Sequence, residues 1–493
     1  MLEVWRGSLQ HDTVNSATDS SFDRDPRPDR RIDWTPDLAS SNKPRYLAIA
    51  DLIAADIKSG RLAAGDRLPP QRKLASRLQI DFTTVARGYA EARKRGLIES
   101  RVGQGTYVRS PANGARAHAP PAASRGDIVD FSMNLPPEPN DPALIERMQA
   151  GVQEVSRDIV ALLRYQGFGG SPADKDAASS WLGRRSLVPA QERIFVTPGA
   201  HPAILGAFST LAAKGETVLC EAITYPGARS IAAQLGLNLV GLPMDRDGIE
   251  PDALADACAR LSPKALYLNP TLQNPTTLTV PAARRGEIAA TARRYGLPIV
   301  EDDAYGFIPP HGPAPFAAIA PDLTWHIAGL AKCIGAGVRA AYVVAPDARR
   351  GWPFAAAVRA ANVMASPFMV ALATRWIEDG TADQILRFIR AETAARQALA
   401  SEILPLGSFK ADPLSFNIWA GLPAGWTRSA FSGHMRSTGI GVVASDAFTA
   451  GGEPPEAVRV CLGGPTTRAA LRHALEYMAH ALTESPAAAF AFL

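Results

Sequence analysis

The sequence predicts an α/β protein in two parts: a small basic helical module, and a large domain built on a mostly parallel sheet. Of the 493 residues, residues 43–110 contain 14 Lys/Arg and 6 Asp/Glu, a net charge of +8. Residues 111–493 contain 33 and 34, a net charge of −1. A basic segment attached to a neutral bulk is typical of a nucleic-acid-binding module, and a solvated basic face without a partner is the alternative.

The N-terminal segment, residues 1–42, has 5 Lys/Arg and 8 Asp/Glu and no apolar periodicity, which predicts a polar, disordered tail. It contains no apolar stretch typical of a signal peptide. The longest apolar stretch, residues 354–373, is interrupted by polar residues and a proline, which argues against a membrane span. The four cysteines are widely spaced, as in neither a zinc site nor a disulfide framework. We therefore expect a cytoplasmic protein with no metal site and no membrane partner.

Residues 43–110 combine helical periodicity with a short hairpin. An apolar stripe from Tyr46 to Ile57 predicts a first helix that stops at Gly60. Two more helices follow across a tight break, and two strands flank a glycine-rich tip. The predicted elements are helices at 46–57, 71–79 and 83–94 and strands at 97–100 and 106–109. This order predicts a winged helix-turn-helix.

In a helix-turn-helix, the second helix of the motif enters the major groove and its first residues reach the base edges. Threonines begin that helix here, and an arginine follows one turn later, facing away from the apolar stripe. Another arginine begins the preceding helix, and the wing glycines permit close approach to a duplex. The candidate DNA contacts are therefore Arg72, Thr83, Thr84, Arg87, Gly103 and Gly105.

These stretches, GRLAAGDRLPPQRKLASRL, TTVARGYAEARKRGLIES and GQGTYV, resemble the GntR-type winged helix. The resemblance implies a double-stranded DNA operator as the partner, and a winged helix that docks a protein is the alternative. Most such regulators have an arginine directly before the Thr-Thr pair, where this chain has Phe82. One expected DNA contact is therefore missing.

Residues 111–127 lack periodicity and are rich in proline and alanine, which predicts a linker. The large domain, residues 128–493, then alternates short apolar runs with helical stretches, which predicts a mostly parallel seven-stranded sheet. The predicted strands lie at 194–197, 217–220, 238–242, 265–268, 298–301, 325–328 and 340–344. The part after about residue 371 mixes helix and strand patterns and predicts a smaller α+β subdomain.

Two predicted strand ends carry residues suited to cofactor chemistry. Lys332 follows a strand, and Arg339 comes seven residues later with glycines between, which suits imine formation beside a phosphate. Asp302 and Tyr305 follow another buried strand, at the edge where α/β proteins bind ligands. Each residue taken singly also has an ordinary structural interpretation, such as a helix cap or a surface charge.

Two turns add to this group. Asn274 lies in an Asn-Pro turn after a strand, where a purely structural turn role is the alternative. Gly199, Ala200 and His201 form a strand-to-helix turn, which can present backbone N–H groups to a phosphate. Because these groups occur together and in order, they indicate one ligand site rather than separate turn residues.

Between about residues 128 and 482, the order and spacing of these groups resemble the fold-type-I pyridoxal 5′-phosphate (PLP) enzymes of the aspartate aminotransferase class. The resemblance implies that Lys332 forms a Schiff base with PLP, that Asp302 pairs with the pyridinium nitrogen, and that Tyr225 stacks on the ring. It further implies roles for Asn274 and Tyr305 at the phenolic oxygen, Gly199, Ala200, His201 and Arg339 around the phosphate, Tyr165 at the phosphate of the neighbouring subunit, and Arg459 at an effector carboxylate.

The chain departs from that pattern in two places. The usual Ser-x-Ser before the lysine is replaced by Gly329, Leu330 and Ala331, so two hydroxyls are missing. His201 stands where the family often has a glutamine. Both changes should weaken the hold on the phosphate, and they bear more on efficient catalysis than on cofactor binding.

A GntR-type winged helix joined by a linker to an aminotransferase-like domain is similar to the MocR subfamily of bacterial transcription regulators. The resemblance implies a homodimer in which an amine or amino-acid effector, reacting at PLP on Lys332, changes DNA binding. We therefore expect a sensor rather than an enzyme. Two alternatives stay open: an active class I aminotransferase with a DNA-binding appendage, which amino-acid turnover would identify, and a PLP-free scaffold that dimerises the winged helices.

Overall fold

A computed structural model describes residues 34–38, 43–63, 65–101, 105–108 and 129–484. The chain divides into two compact units, Met1–Ala122 and Ala123–Leu493. The predicted linker at 111–127 and the predicted wing residue Gly103 lie outside the described residues. Among the described helices, none is long and apolar enough to span a bilayer. No group of three His, Cys, Asp or Glu in the described part is placed to hold a metal ion.

The N-terminal unit is a winged helix-turn-helix, as predicted. Its elements in order are α1 (Arg45–Lys58), β1 (Arg67–Leu68), α2 (Gln71–Leu78), α3 (Phe82–Lys94), β2 (Ile98–Arg101) and β3 (Gly105–Val108). The strands form an antiparallel sheet in the order β1-β3-β2. The sequence did not predict β1, because two residues are too few to show the alternation of a strand.

The core of this unit is the interface between its helices. Val85, Tyr89 and Ala92 form the buried stripe of α3. The Tyr89 hydroxyl donates to the Pro69 carbonyl oxygen at 2.9 Å, which fixes the turn that precedes α2. A side chain at Gly88 would come within 2.9 Å of Ile49, so glycine there lets α1 and α3 pack closely. These contacts pack α3 against α1 and against the turn that precedes α2.

Part of the predicted tail belongs to this core. Trp34 is only 4% exposed and packs in the same hydrophobic cluster as the three helices. Its indole Nε1 donates to Oδ2 of Asp56 in α1 at 2.7 Å. The packed structure of the N-terminal unit therefore begins before residue 43. A lone tryptophan in a polar segment shows no periodicity, so the sequence pattern could not indicate this contact.

The C-terminal unit alternates helices and strands before a mixed C-terminal part. Its helices are α4 (Pro142–Ser156), α5 (Ile159–Leu162), α6 (Pro172–Gly183), α7 (Ala200–Leu211), α8 (Pro226–Leu235), α9 (Pro251–Leu261), α10 (Ala282–Tyr295), α11 (Phe316–Ile319), α12 (Ala348–Asn362), α13 (Pro367–Glu378), α14 (Thr381–Ile403), α15 (Arg428–Ser437) and α16 (Arg468–Thr483). Its strands are β4 (Val129–Asp130), β5 (Ile194–Thr197), β6 (Thr217–Glu221), β7 (Asn238–Leu242), β8 (Met244–Asp245), β9 (Gly248–Ile249), β10 (Ala265–Leu268), β11 (Ile299–Asp302), β12 (Thr324–Gly329), β13 (Ala341–Val344), β14 (Phe409–Lys410), β15 (Asn417–Gly421), β16 (Ile440–Gly441), β17 (Val443–Ala444) and β18 (Ala457–Cys461).

The predicted seven-stranded sheet is confirmed, with the order β5-β13-β12-β11-β10-β6-β7. All neighbours are parallel except β13, which runs antiparallel to β5 and β12. Helices cover both faces: Ile299 of β11 packs in one hydrophobic cluster and the adjacent Val300 in another. Asp302 is the last residue of β11 rather than the residue beyond it. It therefore stands at the carboxyl edge of the sheet, where ligand sites form.

The predicted smaller subdomain is built on a four-stranded antiparallel sheet in the order β14-β15-β18-β17. Residues of α14, α15 and α16 complete its core. At the start of the described C-terminal unit, β4 pairs with β16, so the first segment of this unit also joins the subdomain. Arg459 lies on β18 and Ser132 follows β4, and a hydrogen bond from the Arg459 guanidinium to the Ser132 carbonyl oxygen brings these two segments together.

Candidate functional site

A cavity of about 450 Å³ lies at the carboxyl edge of the large sheet, against residues of β18 and the segment after β4. It brings together all the predicted cofactor and effector residues except Tyr165. The lining includes Gly199, Ala200, His201, Tyr225, Asn274, Asp302, Tyr305, Lys332, Arg339 and Arg459. Tyr165 is 85% exposed and lies outside this cavity, so its predicted contact with a neighbouring subunit stays a prediction.

Lys332 reaches the cavity from the turn that follows β12. Its Nζ donates to the backbone oxygen of Asn134 and lies 5.9 Å from the centre of the Tyr305 ring. Loss of hydration in the cavity lowers the pKa of Lys332 to about 8, and the nearby positive charge of Arg459 acts in the same direction. A sizeable neutral fraction near neutral pH is what a lysine needs to act as a nucleophile.

Asp302 presents one unsatisfied oxygen. Its Oδ2 accepts a hydrogen bond from the Tyr267 hydroxyl at 2.8 Å. Its Oδ1 is buried and has no hydrogen-bond partner among the described residues. Burial raises the pKa of Asp302 to about 6, although the bond from Tyr267 opposes the rise. Because a buried acceptor without a donor is costly, this oxygen is suited to a donor on a bound ligand.

The start of α7 forms a positive end of the cavity. Gly199 caps the helix with a φ of 106°, a left-handed conformation that favours glycine. A side chain there would also lie 3.6 Å from the Arg339 guanidinium, which therefore stands close to the first free N–H groups of the helix. Partial desolvation, followed by the charge of Arg339, lowers the pKa of His201. Helix terminus and guanidinium together favour a bound anion.

A second positive group in the cavity is Arg459, which is 6% exposed. Its Nη1 donates to Oδ1 of Asn274 at 2.7 Å, and its Nη2 donates to the Ser132 carbonyl oxygen. The guanidinium carbon lies 4.8 Å from the centre of the Phe448 ring. A buried guanidinium whose partners are neutral keeps its full charge available to a carboxylate.

Three residues of this network were not predicted from the sequence. Asn134 donates to the Tyr305 hydroxyl oxygen at 2.9 Å, and Tyr267 holds Asp302. Asn269 donates to the Asp302 carbonyl oxygen at 2.7 Å and accepts from the backbone N–H of Asn274 at 2.9 Å. Asn269 directly follows β10, the same position relative to a strand that singled out other candidates, so this signal was available. Asn134 gave no signal, because its partner is 171 residues away.

The residues present fit PLP. The unpaired Oδ1 of Asp302 is an acceptor for a pyridinium N–H, and Lys332 supplies the amine that an aldehyde requires. The positive end at Gly199 and Arg339 suits a phosphate. Gly329 and Ala331, which stand in place of the two serines of the usual Ser-x-Ser, line the cavity and offer no hydroxyl, so the phosphate would depend on α7 and Arg339.

The predicted DNA contacts occupy the exposed side of the helix-turn-helix. Arg72, Thr83 and Arg87 are exposed and Thr84 is half-buried. The Arg87 guanidinium carbon lies 4.2 Å from the centre of the Tyr46 ring, which supports that side chain from below. The predicted wing residue Gly105 begins β3 with a φ of 118°. Within the N-terminal unit, the first two residues of α3, Phe82 and Thr83, are therefore exposed, whereas Val85 of the same turn is buried in the core.

The fold and the cavity define a protein of two parts: a winged helix-turn-helix of the bacterial DNA-binding type, and a unit with the fold of the aminotransferases. Residues 126–478 match the family "Aminotransferase class I and II", and residues 45–108 match "Bacterial regulatory proteins, gntR family". The chain belongs to the aminotransferase class I and II family. Its GntR module makes it a GntR-type regulator of the MocR subfamily.

Several transcription regulators are similar to this protein over much of the chain. The uncharacterized HTH-type transcriptional regulator YdeF of Bacillus subtilis is 28% identical over 445 residues, 90% of this chain and 96% of that protein. The HTH-type transcriptional regulator TauR of Rhodobacter capsulatus is 27% identical over 65% of this chain and 70% of its own. The vitamin B6 salvage pathway transcriptional repressor PtsJ of Salmonella typhimurium is 26% identical over 61% and 67%.

Solved aminotransferases share the fold of the C-terminal unit. LysN, the α-aminoadipate aminotransferase of Thermus thermophilus, is 21% identical with a TM-score of 0.65, and the match covers 75% of this chain and 94% of LysN. The kynurenine aminotransferase of Pyrococcus horikoshii is 20% identical with a TM-score of 0.66, over 73% and 91%. At this level of identity the likeness shows the fold alone.

Proposed function

We propose that this protein is a DNA-binding transcription regulator whose aminotransferase-like unit binds PLP and responds to an amine or amino-acid effector. One observation carries the proposal. A single cavity holds a lysine of lowered pKa, a buried carboxylate with an unpaired oxygen, and a buried arginine, in a chain that also carries a GntR-type winged helix.

Each group of residues that lines the cavity has a separate role in this proposal. Gly199 and Arg339 would hold the phosphate, Asp302 would accept a hydrogen bond from the protonated ring nitrogen, and Tyr225 would line the ring face. When bound, PLP supplies an aldehyde that reacts with primary amines and a ring that withdraws electrons. Lys332 would provide the resident amine, and its lowered pKa keeps a fraction of that amine neutral and nucleophilic near neutral pH.

Arg459 links the effector to the rest of the unit. Its two terminal nitrogens are held by Asn274 and by the Ser132 carbonyl oxygen. Each terminal nitrogen keeps a further N–H, so a carboxylate that forms a forked pair with Arg459 would share the guanidinium with these two contacts and alter its position. Ser132 follows β4, and Arg459 lies on β18 of the subdomain sheet. Effector binding can therefore favour a second arrangement of the segment that follows β4. The effector would make different contacts in the two arrangements, and regulation requires such a difference.

The DNA-binding task falls to the winged helix. In this arrangement α3 enters the major groove, and the exposed side chains of Arg72, Thr83 and Arg87 contact base edges and phosphates. A homodimer would present two such modules to two half-sites. The named relatives TauR and PtsJ, both transcription regulators, support this part of the proposal.

The test uses the purified full-length chain loaded with PLP and the duplex that it selects from a random DNA library. We expect a visible absorption band of the bound cofactor, and we expect one class of amine to change both that band and the affinity for the selected duplex. The control variant Lys264→Ala, on the surface beside Glu216, should behave as the native chain does.

Two results would contradict the proposal. Failure to select any DNA sequence would exclude the regulator, and absence of the absorption band after loading would favour the scaffold without cofactor. Sustained turnover of an amino acid with a keto acid, without any effect on DNA affinity, would instead identify the chain as an enzyme.

A further inference from the structure

Helix α3, which the proposed function places in the major groove, exposes an aromatic ring at its N-terminal end. Phe82 is the first residue of α3 and is 43% exposed. The other large apolar side chains of this helix, Val85 and Tyr89, are buried in the core of the unit. The ring of Phe82 therefore contributes little to that core and remains available for a partner.

Two neighbours fix the surroundings of this ring. Asp81 caps α3: its carboxylate accepts from the backbone N–H of Thr83 at 2.7 Å and from the Thr83 hydroxyl. The first turn of the helix, which carries Phe82, is therefore well defined. The Arg72 guanidinium carbon lies 5.9 Å from the centre of the Phe82 ring. If the Arg72 guanidinium contacts a phosphate of the duplex, the neighbouring Phe82 ring would lie beside the base pairs.

We propose that Phe82 reads thymine in the operator by packing its ring against the 5-methyl group in the major groove. This inference rests on the proposed DNA-binding function. A phenyl ring has no donor or acceptor, so it cannot recognise guanine O6 and N7 as an arginine does. The thymine methyl is the one apolar group that the base pairs present in the major groove. Each half-site therefore carries a thymine where a relative with arginine at this position would favour guanine.

The direct test removes only that methyl group. A duplex is selected from a random library by the full-length chain, and each thymine is then replaced in turn by uracil, which forms the same hydrogen bonds. We expect one thymine in each half-site at which the replacement weakens binding roughly three- to tenfold. Uracil at every other position should have a smaller effect.

Variants of Phe82 assign the methyl contact to this side chain. Phe82→Ala should bind the thymine and uracil duplexes equally, whereas Phe82→Leu should retain part of the preference. Phe82→Arg should shift the selected base at that position to guanine. The exposed aromatic Trp352, in the C-terminal unit, supplies the matched control, because Trp352→Ala should leave the uracil profile unchanged.

The outcomes separate this inference from the proposed function. If no sequence is selected, both are overturned. If a sequence is selected but no uracil replacement weakens binding, or if the loss persists in Phe82→Ala, then Phe82 does not read thymine and the proposed function stands. The inference is also overturned if Phe82→Arg selects the same base as the native chain.

Discussion

At the scale of single residues, the cavity contains buried polar groups that lack some of their hydrogen-bond partners. Asp302 has one oxygen that accepts a hydrogen bond from Tyr267 and one without a hydrogen-bond partner among the described residues. Lys332 is bonded to a single backbone oxygen, that of Asn134. Such groups lower stability unless a ligand pairs with them. Their arrangement therefore argues for a bound group at this position more strongly than the identity of the residues does.

Asp302→Asn tests the unpaired oxygen. The substitution removes the negative charge that would face the ring nitrogen, and a buried charge-assisted hydrogen bond is worth enough to weaken PLP binding by about ten- to a hundredfold. Titration of the full-length chain with PLP, followed by tryptophan fluorescence, gives the dissociation constant. Asp322→Asn, which disturbs only the surface pair with Arg293, is the control. Equal PLP affinity of the two variants would contradict the role of Asp302.

The lowered pKa of Lys332 makes a separate prediction. Since burial favours the neutral amine, that form should appear as the pH rises through about 8, instead of the ordinary value of 10.5. Labelling of the PLP-free chain with an amine-reactive anhydride, followed by mass spectrometry, should give a midpoint near pH 8 at Lys332. The same lysine in urea-unfolded chain is the reference. A midpoint above 10 in the folded chain would refute the assignment.

The sequence predicted most of the cavity because its residues occur at strand ends and turns, positions that a linear pattern reveals. Asp302 and Lys332 are examples, since each closely follows an apolar run. Tyr267 and Asn134 were missed because their roles depend on contacts across 35 and 171 residues. Spacing alone also gave no sign that one oxygen of Asp302 is satisfied and the other is not.

At the scale of elements, the segment around Trp34, here called the N-terminal arm, packs together with the winged helix. Trp34 buries its indole among the helices and bonds to Asp56 of α1. Apolar periodicity predicted both ends of α1, α2 and α3 to within one residue. It could not predict the arm, because a single aromatic anchor has no period. The strand order of the large sheet was likewise not predictable, because hydrophobic runs do not tell which strands become neighbours.

Trp34→Ala tests the arm. Loss of a buried tryptophan costs about 3–5 kcal/mol of stability, and the loss should appear in the unit to which the side chain belongs. Hydrogen exchange of the α1 amides in the full-length chain should show this decrease in the free energy of opening. Trp34→Phe, which keeps much of the packing but removes the bond to Asp56, should cost about 1–2 kcal/mol. Unchanged exchange in α1 with Trp34→Ala would show that the arm does not contribute.

At the scale of the whole molecule, charge is divided between two tasks. The net charge of +8 on residues 43–110 suits a polyanionic partner, and the net charge of −1 on residues 111–493 suits a small ligand held by a few placed residues. The total of +4 is the sum over both parts and the acidic N-terminal segment.

The dependence of DNA affinity on salt follows from this division. The logarithm of the binding constant should fall linearly with the logarithm of salt concentration, by about 0.9 for each phosphate neutralised. Arg72→Ala should reduce that slope by about 1 if Arg72 contacts a phosphate. Lys264→Ala, in the C-terminal unit, should leave the slope unchanged. An unaltered slope with Arg72→Ala would exclude a phosphate contact for this residue.

The central claim is that chemistry at Lys332 controls DNA binding by the winged helix. The measurement that tests it most directly is the ratio of affinities for the selected duplex with and without the effector amine, in the native chain and in Lys332→Ala. We predict a ratio of about 5 to 150 in either direction for the native chain, the usual range of allosteric coupling, and a ratio of one for the variant. The same ratio in both proteins would contradict the claim.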